Sequence, residues 1–417
     1  ETLGVGDLVS GALDFNLMLS ASDRFQFQAS LSSDDLTFFH PMVSPLPIEF
    51  LPFSLQSSIN FDAQAQERLR FAVDGRLGED VVAQSQIRIL DEEDGTRMVL
   101  DFEVEETDCQ DLLRSIPAGF FVDLPRDEIR LRGEAGLDGQ FRYTFGNPRS
   151  FRMNIGESFP GTCEINRMPR GYRPEELLRT TYRHVIPPEY TYAEEYVSGE
   201  DYIAVGPATR GYRTLEELPA FIPAIMYLTE QRDFYEDPAI SLRLIERAVR
   251  INLIYGRWAY GASTVTQQLV KNLYFDRSKT LARKLQEAIV AWAVESVVPK
   301  DRILELYLNC IEFGPDVYGI EAAAQYYFNV SAHQLTPIQA SYLAGLKPAP
   351  SSGGPYRERG FSPSRQRWQD RLEHHIQMLA DRGFIDQSYV DAQESFIIPL
   401  GDNAIPPAEE LEIQPLD

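Results

Sequence analysis

Four short segments, from Thr229 to Asn309, mix carboxylates, amides, hydroxyls and cations in a way that a plain packing helix does not need. The first is Thr229-Glu230-Gln231-Arg232-Asp233-Phe234, with Glu230 at the end of an apolar stripe. Partial removal from water raises a carboxyl pKa, which suits a general base working near neutral pH. A solvated helix-end glutamate is the plainer alternative. The second segment is Gly261-Ala262-Ser263-Thr264-Val265-Thr266-Gln267-Gln268, followed by Lys271. Its glycine permits a tight backbone, and the side chains of Ser263, Thr264, Gln267 and Gln268 suit sugar hydroxyls and phosphate oxygens. Thr264 and Gln267 also spell a capping box. A helix N-terminus is itself an anion site, so both readings can hold.

The third segment, Arg283-Lys284-Leu285-Gln286-Glu287, sets two cations and one carboxylate on a single helix face by its i, i+3 and i+4 spacing. A surface ion-pair helix would show the same pattern. Its surroundings favour a ligand. Residues 271–302 carry Lys271, Arg277, Lys279, Arg283, Lys284, Lys300 and Arg302 against Asp276, Glu287, Glu295 and Asp301, a local +3 inside a chain of formal charge −24. A basic island in an acidic protein implies an anion held locally. The fourth segment, Lys300 to Asn309, has a packing face of Ile303, Leu304, Tyr307 and Leu308, which leaves Glu305 and Asn309 at i, i+4 to brace a site.

The elements that must position these residues change character along the chain. From Asp14 to Ile155 the apolar period is two, as in Phe25, Phe27, Ala29 and Leu31, so residues 1–160 are expected to be an antiparallel β-rich domain. Asp94-Gly95 and Asp138-Gly139 are the dipeptides of hairpin turns. Residues 161–214, rich in Pro, Gly and Tyr, read as a connector. From Leu215 the period turns helical, with Phe221, Ile222, Ala224, Ile225 and Leu228 in one stripe, and residues 215–398 form a mainly α domain. The acidic, proline-containing tail 399–417 reads as an irregular or extended arm. The fold class is therefore α+β and multidomain.

Composition narrows the function. At 43% hydrophobic and 24% charged residues the chain can bury a core, and its acidity excludes a general nucleic-acid binder. No apolar run approaches the ~18–20 residues of a spanning helix, and residues 1–20 lack a basic signal-peptide start, so the chain as given reads as soluble. Cys109, Cys163 and Cys310 are too scattered for a zinc site. Cys109 and Cys163 either pair in an oxidising compartment or remain separate thiols.

The segments from Gly261 onward carry the patterns G-x-S-T-x-x-Q-Q, R-K-x-x-E and K-x-x-I-L-E-x-Y-L-N complete and in order. Here the chain resembles the peptidoglycan glycosyltransferase family of monofunctional transglycosylases and class A penicillin-binding proteins, over about Leu215 to Ile385. The family's first motif, E-D-x-x-F-x-x-H-x-G, keeps Glu230 and Phe234 but has Gln231, Asp237 and Ala239 at its other fixed positions. The fifth, R-R-x-x-V-L, is represented only by Arg371, Leu372, His375 and Ile376.

The resemblance implies a lysozyme-like domain that polymerises lipid II into a glycan strand with inversion. Glu230 is then the base, and Glu287 orients the donor or holds a metal. Arg283 and Lys284, with Lys271 or a divalent cation such as Mg2+, meet the pyrophosphate. Gly261, Ser263, Thr264, Gln267, Gln268 and Glu305 bind substrate. No cofactor is required beyond that cation. The partners implied are lipid II, the growing strand and a membrane surface; Ser241–Tyr255, with its apolar residues beside Arg243, Arg247 and Arg250, fits an interfacial helix and equally an ordinary packed one. The location implied is the periplasmic face of the bacterial inner membrane. The serine transpeptidase motifs S-x-x-K and K-T-G are absent from the chain. The β-rich region resembles AsmA-like envelope domains and is a candidate surface for other envelope proteins. Two alternatives stand beside this reading: a transferase fold that binds precursor without turnover, motivated by the altered first motif, and a lysozyme-like hydrolase with Glu230 as acid.

Overall fold

The computed structural model describes residues 7–21, 25–62, 65–78, 80–156, 161–179, 182–185, 202–206, 209, 211–257, 260–276, 278–315 and 317–404. Its helices are α1 (Cys109–Ser115), α2 (Phe221–Leu228), α3 (Leu242–Tyr255), α4 (Val265–Tyr274), α5 (Leu281–Val297), α6 (Lys300–Cys310), α7 (Ile320–Phe328), α8 (Pro337–Leu346), α9 (Gly353–Arg359), α10 (Gln366–Asp381) and α11 (Gln387–Asp391). The chain forms two compact units that interleave in sequence. The first holds Glu1–Arg173, Ser241–Ala262 and Ser278–Ala293; the second holds Pro174–Ile240, Ser263–Arg277 and Val294–Asp417. An antiparallel, sheet-rich N-terminal region is thus followed by a mainly helical one, the α+β organisation expected.

The first unit is built on an eight-stranded antiparallel sheet. In spatial order its strands are Arg152–Ile155, Glu134–Thr144, Gly95–Asp108, Val81–Glu92, Glu67–Leu77, Phe53–Phe61, Phe25–Ser33 and Asp14–Ala21. The period-two pattern fixes its register, because a one-residue slip would turn every apolar side chain to the polar face. One apolar row crosses all eight strands through Met153, Phe141, Leu100, Ile87, Phe71, Ile59, Phe27 and Leu19. The dense core of this unit lies near α1, where Ile48, Cys109, Leu113, Leu124 and Ile129 are buried. Cys109 and Cys163 form a disulfide there, with 5.8 Å between Cα atoms. Of the two states left open for these cysteines, the paired one is found.

Two turn expectations need correction. The hairpin at Asp94-Gly95 forms one residue earlier: Glu92 pairs with Gly95, so Glu93 and Asp94 are its central residues. Asp138-Gly139 is not a turn at all and lies inside the strand Glu134–Thr144. Gly139 sits opposite Phe102, and a Cβ added there would come 2.5 Å from the end of that ring. The glycine makes room for an aromatic neighbour across the strands, and the chain reverses elsewhere.

In the second unit α2 packs against α6, α8 and α10, and α4 packs against α6. The stripe read from sequence supplies the contact: Ile222, Ala224, Ile225 and Leu228 of α2 are all buried, as are Ile303, Leu304, Tyr307 and Leu308 of α6. The start of the tail is not an arm. Leu400 is fully buried and its N–H bonds to the Gly360 carbonyl at 2.8 Å. Residues 405–417 of the tail and 186–201 of the connector lie outside the described residues, as does Arg277. Among the described residues no helix is long and apolar enough to cross a membrane.

Candidate active site

Glu230 follows α2 by two residues and lies beside the other helices that α2 packs against. Its Oε2 accepts a hydrogen bond from Gln268 Nε2 of α4 at 2.8 Å, and its Oε1 lies 3.2 Å from Lys347 Nζ. Gln268 is itself oriented, because Tyr307 of α6 donates from its hydroxyl to Gln268 Oε1 at 3.0 Å. That bond turns the amide so that its NH2 faces the carboxylate. Burial pushes the Glu230 carboxyl up, but the charge of Lys347 and the bonds from Gln268 and Lys347 outweigh it. The net shift is downward. This corrects the expectation of a raised pKa, in which desolvation was weighed without a buried cation.

The side chain of Lys347 is 1% exposed, whereas that of Glu230 is 20% exposed. Besides Glu230, Lys347 Nζ donates to the Met226 carbonyl at 2.5 Å and to Thr229 Oγ1 at 3.0 Å. Three acceptors match the three N–H bonds of an ammonium. Burial lowers the Lys347 pKa, and the Glu230 carboxylate pulls it back. His375 of α10 is also buried, which lowers its pKa to about 4, so it is neutral at pH 7.

The altered first motif has a structural role. Gln231 is fully buried; its Oε1 accepts the Val265 N–H at 3.1 Å, and its Nε2 donates to Asp237 Oδ2 at 3.3 Å. The carbonyl of Ala239 accepts from Thr264 Oγ1 at 2.8 Å. These residues hold the first turn of α4, which carries Gln268. The capping box is present as read, with Thr264 and Gln267 bonding each other's backbone. Both side chains are buried, so their polar atoms serve the cap.

The first unit carries the cation cluster on α5. Arg283 and Lys284 both pair with Glu287, Lys284 Nζ at 2.9 Å from Oε2 and Arg283 against the other oxygen. Glu287 is 2% exposed and Lys284 38%, so one positive charge of the trio faces outward. Gln286, between them in sequence, anchors the helix: its Oε1 accepts the N–H groups of Asp123 and Leu124 at 2.9 and 2.7 Å.

A family model described as Transglycosylase matches residues 200–376, which contain every one of these groups except Asp123 and Leu124. Residues 200–376 match a transglycosylase domain. The chain is 39% identical over 146 residues to the biosynthetic peptidoglycan transglycosylase of Alcanivorax borkumensis, covering 35% of this chain and 60% of that protein. It is 41% identical over 135 residues to the protein of the same name from Nitrosomonas europaea, 32% of this chain and 55% of that one. Penicillin-binding protein 1A of Aquifex aeolicus is 39% identical over 158 residues, 38% of this chain and 22% of that protein. The chain thus spans less than two thirds of each of these relatives.

Within the transglycosylase domain the expected residues fall into separate groups. Glu230 and Gln268 are in direct contact; Arg283, Lys284 and Glu287 form their own cluster. Ser263 and Lys271 are half-buried in the second unit, and Gly261 is exposed with open space where a Cβ would stand. Glu305 is spent on structure. Its carboxylate takes bonds from Tyr212, Arg302 and the Leu215 N–H, while Asn309 brackets the backbone of Arg213. A divalent cation at Glu287 does not fit the donor set, since both its oxygens already face cations. Among the described residues no group of three His, Cys, Asp or Glu could hold a metal.

Lys347 is the site residue that sequence reasoning missed. Its signal was a lone lysine closing the apolar run Tyr342–Leu346, with no acidic neighbour to pair it. Tyr307 was read only as packing, and its hydroxyl turns out to orient Gln268.

Proposed function

We propose that the transglycosylase domain polymerises lipid II into glycan strands with inversion, on a lysozyme-like fold. The observation that carries this reading is the Glu230 carboxylate, held ionised between Gln268 and Lys347. The hydroxyl oxygen of the acceptor sugar bonds to the anomeric carbon as the bond from that carbon to the pyrophosphate oxygen breaks. Glu230 receives the hydroxyl proton, and the negative charge departs on polyprenyl pyrophosphate. Ser263, Gln268 and Lys271 are assigned to the sugars, and Arg283 and Lys284 to the pyrophosphate, whose developing charge fixed cations stabilise. Glu287 sets the position of both cations, and no step is assigned to a metal.

An ionised Glu230 supports transfer over hydrolysis, because a lysozyme-like acid must hold its proton at the working pH. Gln231, Asp237 and Ala239 brace α4 and leave the base untouched, which weakens the motive for an inactive scaffold. The helix α3 is assigned to the membrane surface at the periplasmic face. It ends in exposed Leu253, Ile254 and Tyr255 and carries Arg243, Arg247 and Arg250. The β-rich region is assigned to envelope partners.

Incubation of the purified protein with lipid II, under conditions where a known polymerase works, is expected to give glycan strands. Muropeptide release from sacculi without strand formation would establish the hydrolase instead. No product from either substrate would leave a binding protein.

A further inference from the structure

The buried side of Glu230 is closed by a residue that neither the motifs nor the relatives' names point to. Lys347 follows α8, its ammonium is enclosed by Glu230, the Met226 carbonyl and Thr229 Oγ1, and it lies 5.7 Å from the centre of the Tyr307 ring. The groups facing this pair from the surrounding helices are Gln268 of α4, Tyr307 of α6 and His375 of α10. Gln268 carries no charge, Tyr307 is pushed well above its ordinary pKa by burial, and His375 is neutral at pH 7. Arg371 of α10 acts on His375. Among the described residues Lys347 is the one cation within salt-bridge distance of Glu230.

We propose that Lys347 is a positioning residue for the transfer reaction: from the buried side it fixes both the orientation and the charge of the Glu230 carboxylate. Lys347 takes Oε1 and the Tyr307–Gln268 pair takes Oε2, so the plane of the carboxylate is set by two contacts from different helices. Each oxygen carries one of these contacts, and the Glu230 side chain remains 20% exposed. The charge has a second effect. It keeps Glu230 free of its proton into mildly acidic solution, where an isolated buried glutamate would already be protonated and unable to accept one. Gln231 and Asp237, which bond each other and the start of α4, supply no positive charge to Glu230. Lys347 supplies it from the other end of the domain's sequence.

This rests on Glu230 being the base, so the test separates the two ideas. Lys347→Met keeps the volume and removes the charge, and Lys347→Gln serves if the methionine variant does not fold. Two readings are taken: the pH dependence of kcat with lipid II, and the titration of Glu230 followed by 13C NMR of protein labelled at the glutamate carboxyls, its signal assigned by its loss in Glu230→Gln. In the lysine variants the acid limb of kcat and the Glu230 titration are both expected to move up by about one to three pH units, the size of an opposite-charge effect. KM is expected to change less than kcat. A Glu230 titration that does not move, whatever happens to the rate, would overturn the proposal and reduce Lys347 to packing. If wild type makes no strands, the proposed function fails, while the titration still decides whether Lys347 governs the carboxylate.

Discussion

A glutamate at a helix end has no chemistry until its neighbours are known, and Glu230 shows how far they decide. Burial alone would favour its neutral form, and one buried ammonium with one oriented amide reverses that. His375 shows the opposite outcome nearby, where burial without a carboxylate partner favours the neutral ring. A histidine whose folded pKa is depressed stabilises the fold above its unfolded pKa and loses that stabilisation as pH falls. The window runs from the ordinary value of 6.5 down to about 4. Thermal stability is therefore expected to fall with acidification through this range, by up to ~3 kcal/mol from this residue. Melting curves of wild type and His375→Gln at several pH values check it: the variant should show a shallower slope between pH 6.5 and 4. Glu230 adds a loss of the same sign that begins as pH falls through the usual carboxylate value and is complete once its lowered pKa is crossed. Glu230 and Gln268 could be singled out from sequence because their motifs stand in order, but the bond between them was not legible there. Lys347 could not, because the match between its ammonium and three acceptors exists only once α2 and α8 are packed.

At the scale of elements, α4 is the piece that must be set, since it delivers Gln268 to Glu230. Its first turn is held by the Thr264–Gln267 box and by Gln231. Thr264→Ala is expected to cost about 1 kcal/mol, the usual worth of a cap. Gln231→Leu leaves the buried Val265 N–H without its acceptor and removes one donor from Asp237 Oδ2, at about 1–3 kcal/mol. Urea unfolding measures both, and a neutral Gln231→Leu would remove the structural account of the altered motif. Periodicity made these helices and the sheet legible, since a half-buried strand and a striped helix have different periods. Turn chemistry was less reliable. Asp138-Gly139 has the composition of a turn, but its glycine answers Phe102 across the strands, a long-range demand that no local pattern encodes. The capping box was readable because all its partners lie within four residues.

At the scale of the whole molecule, the family model's residues are shared between two interleaved compact units. Period and composition locate β-rich and helical regions but not which helices join which unit. That choice depends on contacts such as Leu281 N–H to the Met42 carbonyl at 3.0 Å, made across hundreds of residues of chain. The disulfide is part of the first unit and closes a sequence separation of 54 residues. Loop-closure entropy gives it about 4 kcal/mol. Cys163→Ser is expected to lower the denaturation midpoint of that unit by a corresponding amount, and a reducing agent should reproduce the effect in wild type. An unchanged midpoint would mean that the unfolded chain gains nothing from the cross-link.

The reading of the chain as a glycan polymerase rests most heavily on one proton acceptor. Initial rates of strand formation from lipid II by wild type and Glu230→Gln, at equal folded concentration, test it directly. Glutamine keeps the size and the contact with Gln268 but cannot take the proton, so the variant should be slower by about 10²–10⁴-fold, the usual contribution of a positioned base. Equal rates would show that another group accepts the proton, and Glu230 would lose its central place.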